Sequence, residues 1–203
     1  MDHFNYRNGQ LYAEDVSVAE IAASVGTPFY VYSTATLVRH FQLFDDALEG
    51  MDHCICYAMK AASNQAILKT LGNLGAGMDV VSGGEYRRAI SAGIPPEKVV
   101  FSGVGKTLEE ITLALQNGIR QFNVESDSEL EQISATASSM NKIAPIAIRI
   151  NPDVDAQTHE KIATGKAENK FGIPISRARD VYSKASKMPG ISIVGIDLHI
   201  GSQ

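Results

Sequence analysis

A repeated alternation of short apolar runs and amphipathic segments most constrains how this chain can fold. Runs rich in Val, Ile and aromatic residues predict six strands, at residues 53–59, 77–81, 98–102, 121–124, 144–150 and 191–200. Helical patterns of about a dozen residues separate most of these runs. Because strand and helix alternate through short connections, we expect parallel strands joined by right-handed crossovers. The pattern therefore predicts an α/β protein.

Three of the predicted helices begin with a hydroxyl residue that is followed three positions later by a glutamate, which is the pattern of a capping box. The pairs are Ser82 with Glu85, Thr107 with Glu110, and Ser126 with Glu129. The hydroxyl is expected to accept a hydrogen bond from the first helical turn, and the glutamate to bind the backbone N–H of the hydroxyl residue. Glycines 72, 93 and 118 stand where helices are expected to end.

Two architectures satisfy this alternation: an open doubly wound sheet and a closed parallel (β/α)8 barrel of the TIM type. Strand 146–151 places three isoleucines on one face, and Ala147, Arg149 and Asn151 on the other. An open sheet buried on both sides would be apolar on both faces, so the pattern favours the barrel. Polar residues at the carboxyl ends of the strands are then expected to meet at its mouth. They are Lys60, Asp79, Asn123, Glu125, Arg149, Asp197 and His199.

The N-terminal residues follow a different pattern. Residues 4–13 predict a hairpin about Asn8-Gly9, residues 18–25 a short helix, and residues 29–32 a strand before a helix at 34–48. A complete barrel needs eight strands and about 250 residues, whereas six barrel strands are predicted. We therefore expect this chain to be the front part of a longer protein and to be inactive by itself.

Charge and composition exclude several classes of function. Eighteen basic and 23 acidic residues give a net charge of −5, which disfavours binding to nucleic acids or anionic membranes. No apolar stretch approaches the roughly 18 residues needed to span a bilayer, and the first residues lack the pattern of a secretory signal. The two cysteines, Cys54 and Cys56, are too close in sequence to bridge readily. We expect a soluble cytoplasmic protein.

Lys60 is the residue that most directly suggests chemistry. It follows the first barrel strand on the small-residue face, where it is either an ordinary surface lysine or an amine that forms a Schiff base with an aldehyde. Arg149 and His199 favour the second interpretation, because an anionic cofactor needs a cation and a flat ring needs a stacking surface. His199 is otherwise interpreted as a hydrogen-bonded core histidine beside Asp197.

Two other motifs are incomplete. Residues 103–107 (GVGKT) resemble the end of a phosphate-binding P-loop, but Val100 replaces its first glycine, so we predict a strand–helix turn. His159-Glu160 is followed by Ala163 where a zinc-protease motif requires histidine. No metal site is predicted.

Five stretches in order resemble the motifs of the diaminopimelate decarboxylase family. They are YAMKA (57–61), MDVVSGGE (78–85), RINPDVDAQTH (149–159), TGKAENKFGI (164–173) and HIGSQ (199–203). The resemblance runs from about residue 5 to the last residue, and as a set the motifs are highly specific. The third, fourth and fifth stretches favour this family over ornithine and arginine decarboxylases. Alanine racemases share the barrel type but not these stretches.

The resemblance implies a pyridoxal 5′-phosphate enzyme that acts as a homodimer. Residues 1–30 would contribute to a β-domain, and residues 31–203 would form part of an alanine-racemase-like barrel. The enzyme would remove the carboxylate at the D-centre of meso-2,6-diaminopimelate and release CO2 and L-lysine, the last step of lysine biosynthesis.

Residue roles also follow from the resemblance. Lys60 would form the Schiff base with the cofactor, and His199 would stack on its ring. The remaining cofactor-binding residues would be Asp79 and Glu85 near the cofactor, Arg149 near its phenolic oxygen, and Ser202 near its phosphate. Residues 154–169 would form a loop that closes on the substrate.

Three alternatives stay open. A non-catalytic relative would bind pyridoxal phosphate or a protein partner without turnover. A decarboxylase of the same family could act on another basic amino acid, such as ornithine or arginine. A phosphate-binding barrel of sugar metabolism is the weakest alternative, because it does not account for the five motifs together.

Overall fold

The N-terminal part of the chain forms a small antiparallel sheet. The computed structural model describes residues 2–154 and 171–201. Strands β1 (Phe4–Arg7), β2 (Gln10–Ala13) and β3 (Val16–Ser17) form this sheet and lead into helix α1 (Val18–Val25). Asn8 and Gly9 both have positive φ (50° and 80°), as a tight hairpin requires, so the predicted hairpin is confirmed.

Glu14 attaches this sheet to the rest of the chain. Its Oε1 accepts hydrogen bonds from Ser33 Oγ (2.7 Å) and from the backbone N–H of Ala35 (2.8 Å), at the start of α2 (Thr34–Ala47). Both donors lower the pKa of the Glu14 carboxyl group. The prediction of a strand at residues 29–32 is wrong: the segment pairs with no strand in the described part of the chain, and Tyr30 is 93% exposed.

Six parallel strands form the main sheet, in the number predicted. They are β4 (Cys56–Ala58), β5 (Gly77–Val80), β6 (Val99–Phe101), β7 (Gln121–Val124), β8 (Ala144–Asn151) and β10 (Ile191–Asp197). A short β9 (Ile173–Pro174) pairs with the end of β8. The six strands lie side by side in the order of the chain, as in a barrel, whereas the strand order of a doubly wound sheet reverses at its centre.

The helices cover the outer face of this sheet. They are α3 (Gln65–Asn73), α4 (Gly83–Ser91), α5 (Leu108–Asn117), α6 (Asp127–Ser139) and α7 (Ala178–Ala185). The three isoleucines of β8 point to this side and are fully buried, and the rings of Phe101 and Phe122 stack with centroids 6.2 Å apart. The alternation predicted from the sequence is therefore confirmed: bulky side chains pack outward under the helices.

The two outermost strands are shorter than predicted. β4 pairs only with β5, from Cys56 to Ala58, and β10 pairs only with β8. With a partner on one side only, fewer of their residues are fixed in strand geometry. The side chains of Val194 and Ile196 on β10 are more than half exposed.

Helix starts lie where the hydroxyl residues predict, but two of the three glutamates bind one residue earlier than expected. Thr107 and Glu110 form a complete capping box. Glu85 instead accepts from the N–H of Val81, and Glu129 accepts from that of Glu125. The N-caps of these two helices are more extended, with φ of −155° and −154° against −83° for Thr107. When the N-cap residue is this extended, the glutamate reaches the backbone N–H of the residue before the N-cap instead of the N–H of the N-cap itself.

Two of the three predicted helix-ending glycines are confirmed. Gly93 and Gly118 follow or cap their helices with φ of 90° and 78°, a conformation that glycine adopts without strain. Gly72 lies one residue before the end of α3 at Asn73, so the helix ends close to the predicted position, but this glycine is part of the helix rather than its terminator. A side chain there would overlap Cδ1 of Ile94, so the glycine serves close packing rather than termination.

Replacing Gly77 by alanine is expected to destabilise the sheet. An added Cβ would overlap the backbone oxygen of Lys98, so β5 and β6 would have to separate. Overpacking of this kind costs about 1–3 kcal/mol, and a backbone atom cannot move aside as a side chain can. Urea denaturation measures the loss. Gly105→Ala is the matched control, because no atom lies within 4 Å of its added Cβ; equal stability of the two variants would contradict the prediction.

Candidate functional site

A cavity of about 780 Å³ opens at the carboxyl ends of the parallel strands. Side chains from every strand of the main sheet, or from the residues that directly follow each strand, line it. The charged and titratable residues on its wall include Lys60, Asp79, Glu125, Arg149, Asp197 and His199. The alternation in the strands therefore predicted correctly which side chains face inward and meet.

Lys60 stands two residues beyond the end of β4 and is exposed. Cys56 and Ala58, on the same face of the strand, also line the cavity, and their small side chains leave the space in front of the lysine open. The Lys60 ammonium group acts electrostatically on two other residues of the wall. It opposes the rise that burial causes in the pKa of Asp79, and it adds to the fall that burial causes in the pKa of His199. Lys60 therefore lies at the mouth of the cavity, which Arg149 and His199 also line, as the sequence predicted.

Asp79 ends a chain of polar side chains that runs across β5, β6 and β7. Ser102 Oγ donates to Asp79 Oδ1 at 2.6 Å, and Asn123 Nδ2 donates to Ser102 Oγ at 3.0 Å. Gln121 Nε2 in turn donates to Asn123 Oδ1 at 2.7 Å. Burial raises the pKa of Asp79, while Ser102 and Lys60 act in the opposite direction. The chain of donors fixes the orientation of the carboxylate at the cavity wall.

Arg149 is held from several sides near the end of β8. Its Nη1 donates to Glu125 Oε1 at 2.9 Å, and its guanidinium carbon lies 5.3 Å from the centre of the Phe171 ring. Gly172, with φ of 75°, packs so closely that an added Cβ would lie 3.0 Å from the backbone oxygen of Arg149. The Phe-Gly pair of the fourth sequence motif therefore packs against this arginine.

His199 follows β10 and faces the same cavity. Burial lowers the pKa of its imidazole, and the positive charges of Arg149 and Lys60 lower it further. Burial raises the pKa of the neighbouring Asp197, against the effect of Arg149. A neutral imidazole at the cavity wall offers a flat, uncharged ring for stacking.

The two described histidines with shifted pKa values are expected to titrate on opposite sides of the usual histidine value. His199 should have a midpoint below about 6.5 for the reasons above, and His53 a midpoint above it. The Met51 carbonyl and the Asp45 carboxylate, 2.8 and 2.9 Å from its ring nitrogens, favour the charged form of His53. Nuclear magnetic resonance of the imidazole protons measures both midpoints, and the reverse order would contradict the geometry.

Of the two remaining predicted site residues, one does not line the cavity and the other lies outside the described residues. Glu85 lies at the first turn of α4, where its carboxylate accepts from the N–H of Val81, and it does not line the cavity. Ser202 lies outside the described residues, as do residues 155–169 of the predicted closing loop. The structure thus brings together Lys60, Asp79, Arg149 and His199.

Sequence reasoning missed Ser102 and Phe171, which directly contact Asp79 and Arg149. Ser102 ends a predicted strand and could have been found by extending the inward-facing series of β6 by one residue. Phe171 is distant from every predicted strand end, and no periodic signal marks it. It reaches the cavity because β9 pairs with β8 beside Arg149.

Cys56 does not supply a reactive thiolate. Both cysteines are free, with sulfur atoms 3.9 Å apart, and burial next to Cys54 raises the pKa of the Cys56 thiol to about 12.

Within residues 2–154 and 171–201, no three His, Cys, Asp or Glu side chains are placed to hold a metal ion. In the same ranges, no helix combines the length and the apolar character required to cross a bilayer.

Comparison with known proteins identifies close relatives. Residues 34–203 match the family described as pyridoxal-dependent decarboxylase, pyridoxal binding domain. The whole chain is 53% identical to diaminopimelate decarboxylase of Haemophilus influenzae and covers 49% of that protein. The diaminopimelate decarboxylase of Pseudomonas fluorescens is 52% identical over 49% of its length. The chain thus spans about half the length of the curated relatives that it matches.

Solved structures agree with the sequence comparison. The Helicobacter pylori diaminopimelate decarboxylase, crystallised with L-lysine, superimposes with a TM-score of 0.88 at 44% identity, over 91% of this chain and 47% of that one. The enzyme from m. jannaschi superimposes with a TM-score of 0.89 at 39% identity, over 100% of this chain and 48% of that one. From these matches and from its fold, the chain belongs to the pyridoxal-dependent decarboxylases, whose pyridoxal-binding domain corresponds to residues 34–203.

Proposed function

We propose that the cavity binds pyridoxal 5′-phosphate and that Lys60 forms the Schiff base with its aldehyde. One observation carries this proposal: the exposed Lys60 amine shares a single cavity with Arg149, His199 and Asp79. The donor set fits the cofactor, because an amine, a cation and a flat neutral ring complement its aldehyde, its anionic groups and its ring. The cavity, at about 780 Å³, lies within the range of small-molecule sites.

The predicted site residues have distinct tasks in this proposal. Lys60 would hold the cofactor at its aldehyde carbon. His199 would lie against one face of the ring, and Arg149 would donate to the phenolic oxygen. Asp79, fixed by Ser102, accepts a hydrogen bond from the cofactor or from water in the cavity. Glu85 would act indirectly by holding the turn after β5, and Ser202, outside the described residues, would bind the phosphate.

The bound cofactor would supply an electron sink for the charge left when a carboxylate leaves as CO2. The protein's part would be to orient the substrate against the cofactor and to keep water away from the reacting carbon. The flat imidazole of His199 would restrict the tilt of the ring and would cover one of the two faces from which a proton could return.

For the complete protein we propose decarboxylation of meso-2,6-diaminopimelate to L-lysine, the last step of lysine biosynthesis. The supporting observations are the identities of about one half to diaminopimelate decarboxylases and the likeness to a homologue crystallised with L-lysine. The proposal also includes action in the cytoplasm as a homodimer, and a division into a β-domain contribution from residues 1–30 and a barrel from residue 31 onward. The two free thiols are compatible with a reducing compartment.

The complete gene product tests the activity directly. Incubated with pyridoxal phosphate, it should release CO2 from meso-diaminopimelate and form an equal amount of lysine, with far slower release from ornithine or arginine. Preference for ornithine or arginine would place it with another branch of the family. Cofactor bound through Lys60 without CO2 release from any of the three would indicate a non-catalytic relative. Light scattering of the same sample measures the oligomeric state.

A further inference from the structure

Glu125 connects Arg149 to the protein interior. It follows β7, its side chain is 1% exposed, and its Oε1 accepts from Arg149 Nη1 at 2.9 Å and from the backbone N–H of Gly103 at 3.0 Å. One carboxylate oxygen thus ties the arginine of β8 to the turn that follows β6. Its other oxygen, Oε2, is buried and has no hydrogen-bond partner among the described residues.

A second ion pair fixes Glu125 from behind. The backbone N–H of Glu125 donates to Glu129 Oε2 at 2.9 Å, and Glu129 Oε1 accepts from Lys106 Nζ at 2.7 Å. Lys106 also donates to the backbone oxygens of Gly103 and Asn123, each at 2.7 Å. The path from Lys106 to Arg149 is therefore continuous and almost wholly buried, and each member is held at two or more points.

We propose that Glu125 is a positioning residue that holds the Arg149 guanidinium where it meets the cofactor's phenolic oxygen. An arginine side chain has many rotamers, and a charged hydrogen bond to a fixed acceptor removes most of them before the ligand arrives. The Phe171 ring packs against the flat face of the Arg149 guanidinium. Such a contact does not prevent the guanidinium from rotating within its own plane. Glu125 provides the directional contact.

This inference rests on the proposed function, since it acts through a contact between Arg149 and the cofactor. The test is the affinity of the apo form of the complete gene product for two compounds, measured by fluorescence titration. They are pyridoxal 5′-phosphate and 3-deoxypyridoxal 5′-phosphate, which lacks the phenolic oxygen. Glu125→Ala should weaken binding of the first about 10- to 100-fold, the loss expected for a charge-assisted hydrogen bond. Binding of the second should change less than about threefold.

Glu125→Gln should restore most of the affinity for pyridoxal phosphate. Its amide oxygen can take the place of Oε1, and its amide nitrogen then occupies the position of Oε2, which has no described partner to lose. Glu125→Asp draws the acceptor back by one methylene while keeping the charge. It should lose affinity for pyridoxal phosphate but not for the deoxy compound, and it replaces the alanine variant if that variant does not fold.

Glu110 offers a matched control. Its Oε1 accepts from the N–H of Gly83 at 2.6 Å, so it bridges two neighbouring strand–helix turns as Glu125 does, but it does not line the cavity. Glu110→Ala should bind both compounds like the unmodified protein. Equal losses for both compounds in Glu125→Ala would overturn the positioning role and leave the proposed function intact. An unmodified protein that binds both compounds equally would overturn the Arg149 contact and this inference together.

Discussion

Lys60→Ala is expected to abolish the covalent attachment of pyridoxal phosphate to the complete gene product after borohydride reduction. Reduction turns a Schiff base into a stable secondary amine, and peptide mass spectrometry then locates the modified lysine. Lys60 is the lysine that lines the cavity among the described residues, and its side chain is exposed at the mouth. With this amine removed, no other lysine of the described cavity wall can reach the aldehyde, so the expected loss is complete.

Lys106 is the informative competitor, because it lies close behind the cavity wall. Its side chain has no exposed surface, and its three protons already bind the Gly103 and Asn123 carbonyls and the Glu129 carboxylate. An amine must be accessible to attack an aldehyde, and the Lys106 amine is buried and bound to three acceptors. Lys69→Ala, on the exposed face of α3, is the control and should label as the unmodified protein does. Attachment that persists in Lys60→Ala, or that occurs on Lys106, would contradict the assignment.

The period of two residues in a strand is the reason why much of the site could be predicted from the sequence. Ala147 marks the inward face of β8, and Arg149, two residues later, is therefore expected to point into the barrel. The same period of two residues places Lys60 and His199 on the inward faces of their strands. All three line the cavity. The carboxyl ends of parallel strands meet at one edge, so residues far apart in sequence could be grouped without any knowledge of distances.

Contacts between elements could not be predicted in this way. Nothing in the sequence indicates that Phe171 packs against Arg149, since that contact depends on β9 pairing beside β8. Gly72 was expected to end a helix because glycine often does, but its conformational preference was secondary to its packing against Ile94. Glu85 and Glu129 bind one residue earlier than the capping-box pattern implies, because the extended conformation of their N-caps is set by the preceding strand.

The residues of the incomplete P-loop motif show how tertiary structure changes the meaning of a pattern. A lysine in a GKT sequence is expected to reach a bound phosphate. Here the turn directs Lys106 inward, 5.8 Å from the centre of the Phe101 ring, and buries it against Glu129. The lysine therefore stabilises the connection between β6, β7 and α6, in agreement with the predicted strand–helix turn, and its removal should affect stability.

Lys106→Met is expected to destabilise the protein by about 3–5 kcal/mol, the cost of leaving one member of a buried ion pair without its partner. The methionine can fill the space beside Phe101, so the loss arises mainly from the Glu129 carboxylate. Burial already raises the pKa of that carboxyl group, and Lys106 opposes the rise. Without the lysine, the pKa should rise further. Urea denaturation at several pH values measures the change in the free energy of unfolding.

The sign of the pH dependence distinguishes a buried charge from a simple packing defect. A carboxyl group with a raised pKa binds more protons in the folded state than in the unfolded state, so the variant should lose stability as pH rises from about 4.3 toward the folded-state pKa. Adding Glu129→Gln should recover part of the loss and remove this dependence. Lys184→Met is the control: Lys184 pairs with Glu131 at 2.6 Å on the surface, where water replaces the partner, so stability should hardly change. If Lys106→Met lowered the free energy of unfolding equally at pH 5 and pH 8, the loss of stability would come from packing. A buried carboxylate that changes its charge between these pH values would instead make the loss depend on pH.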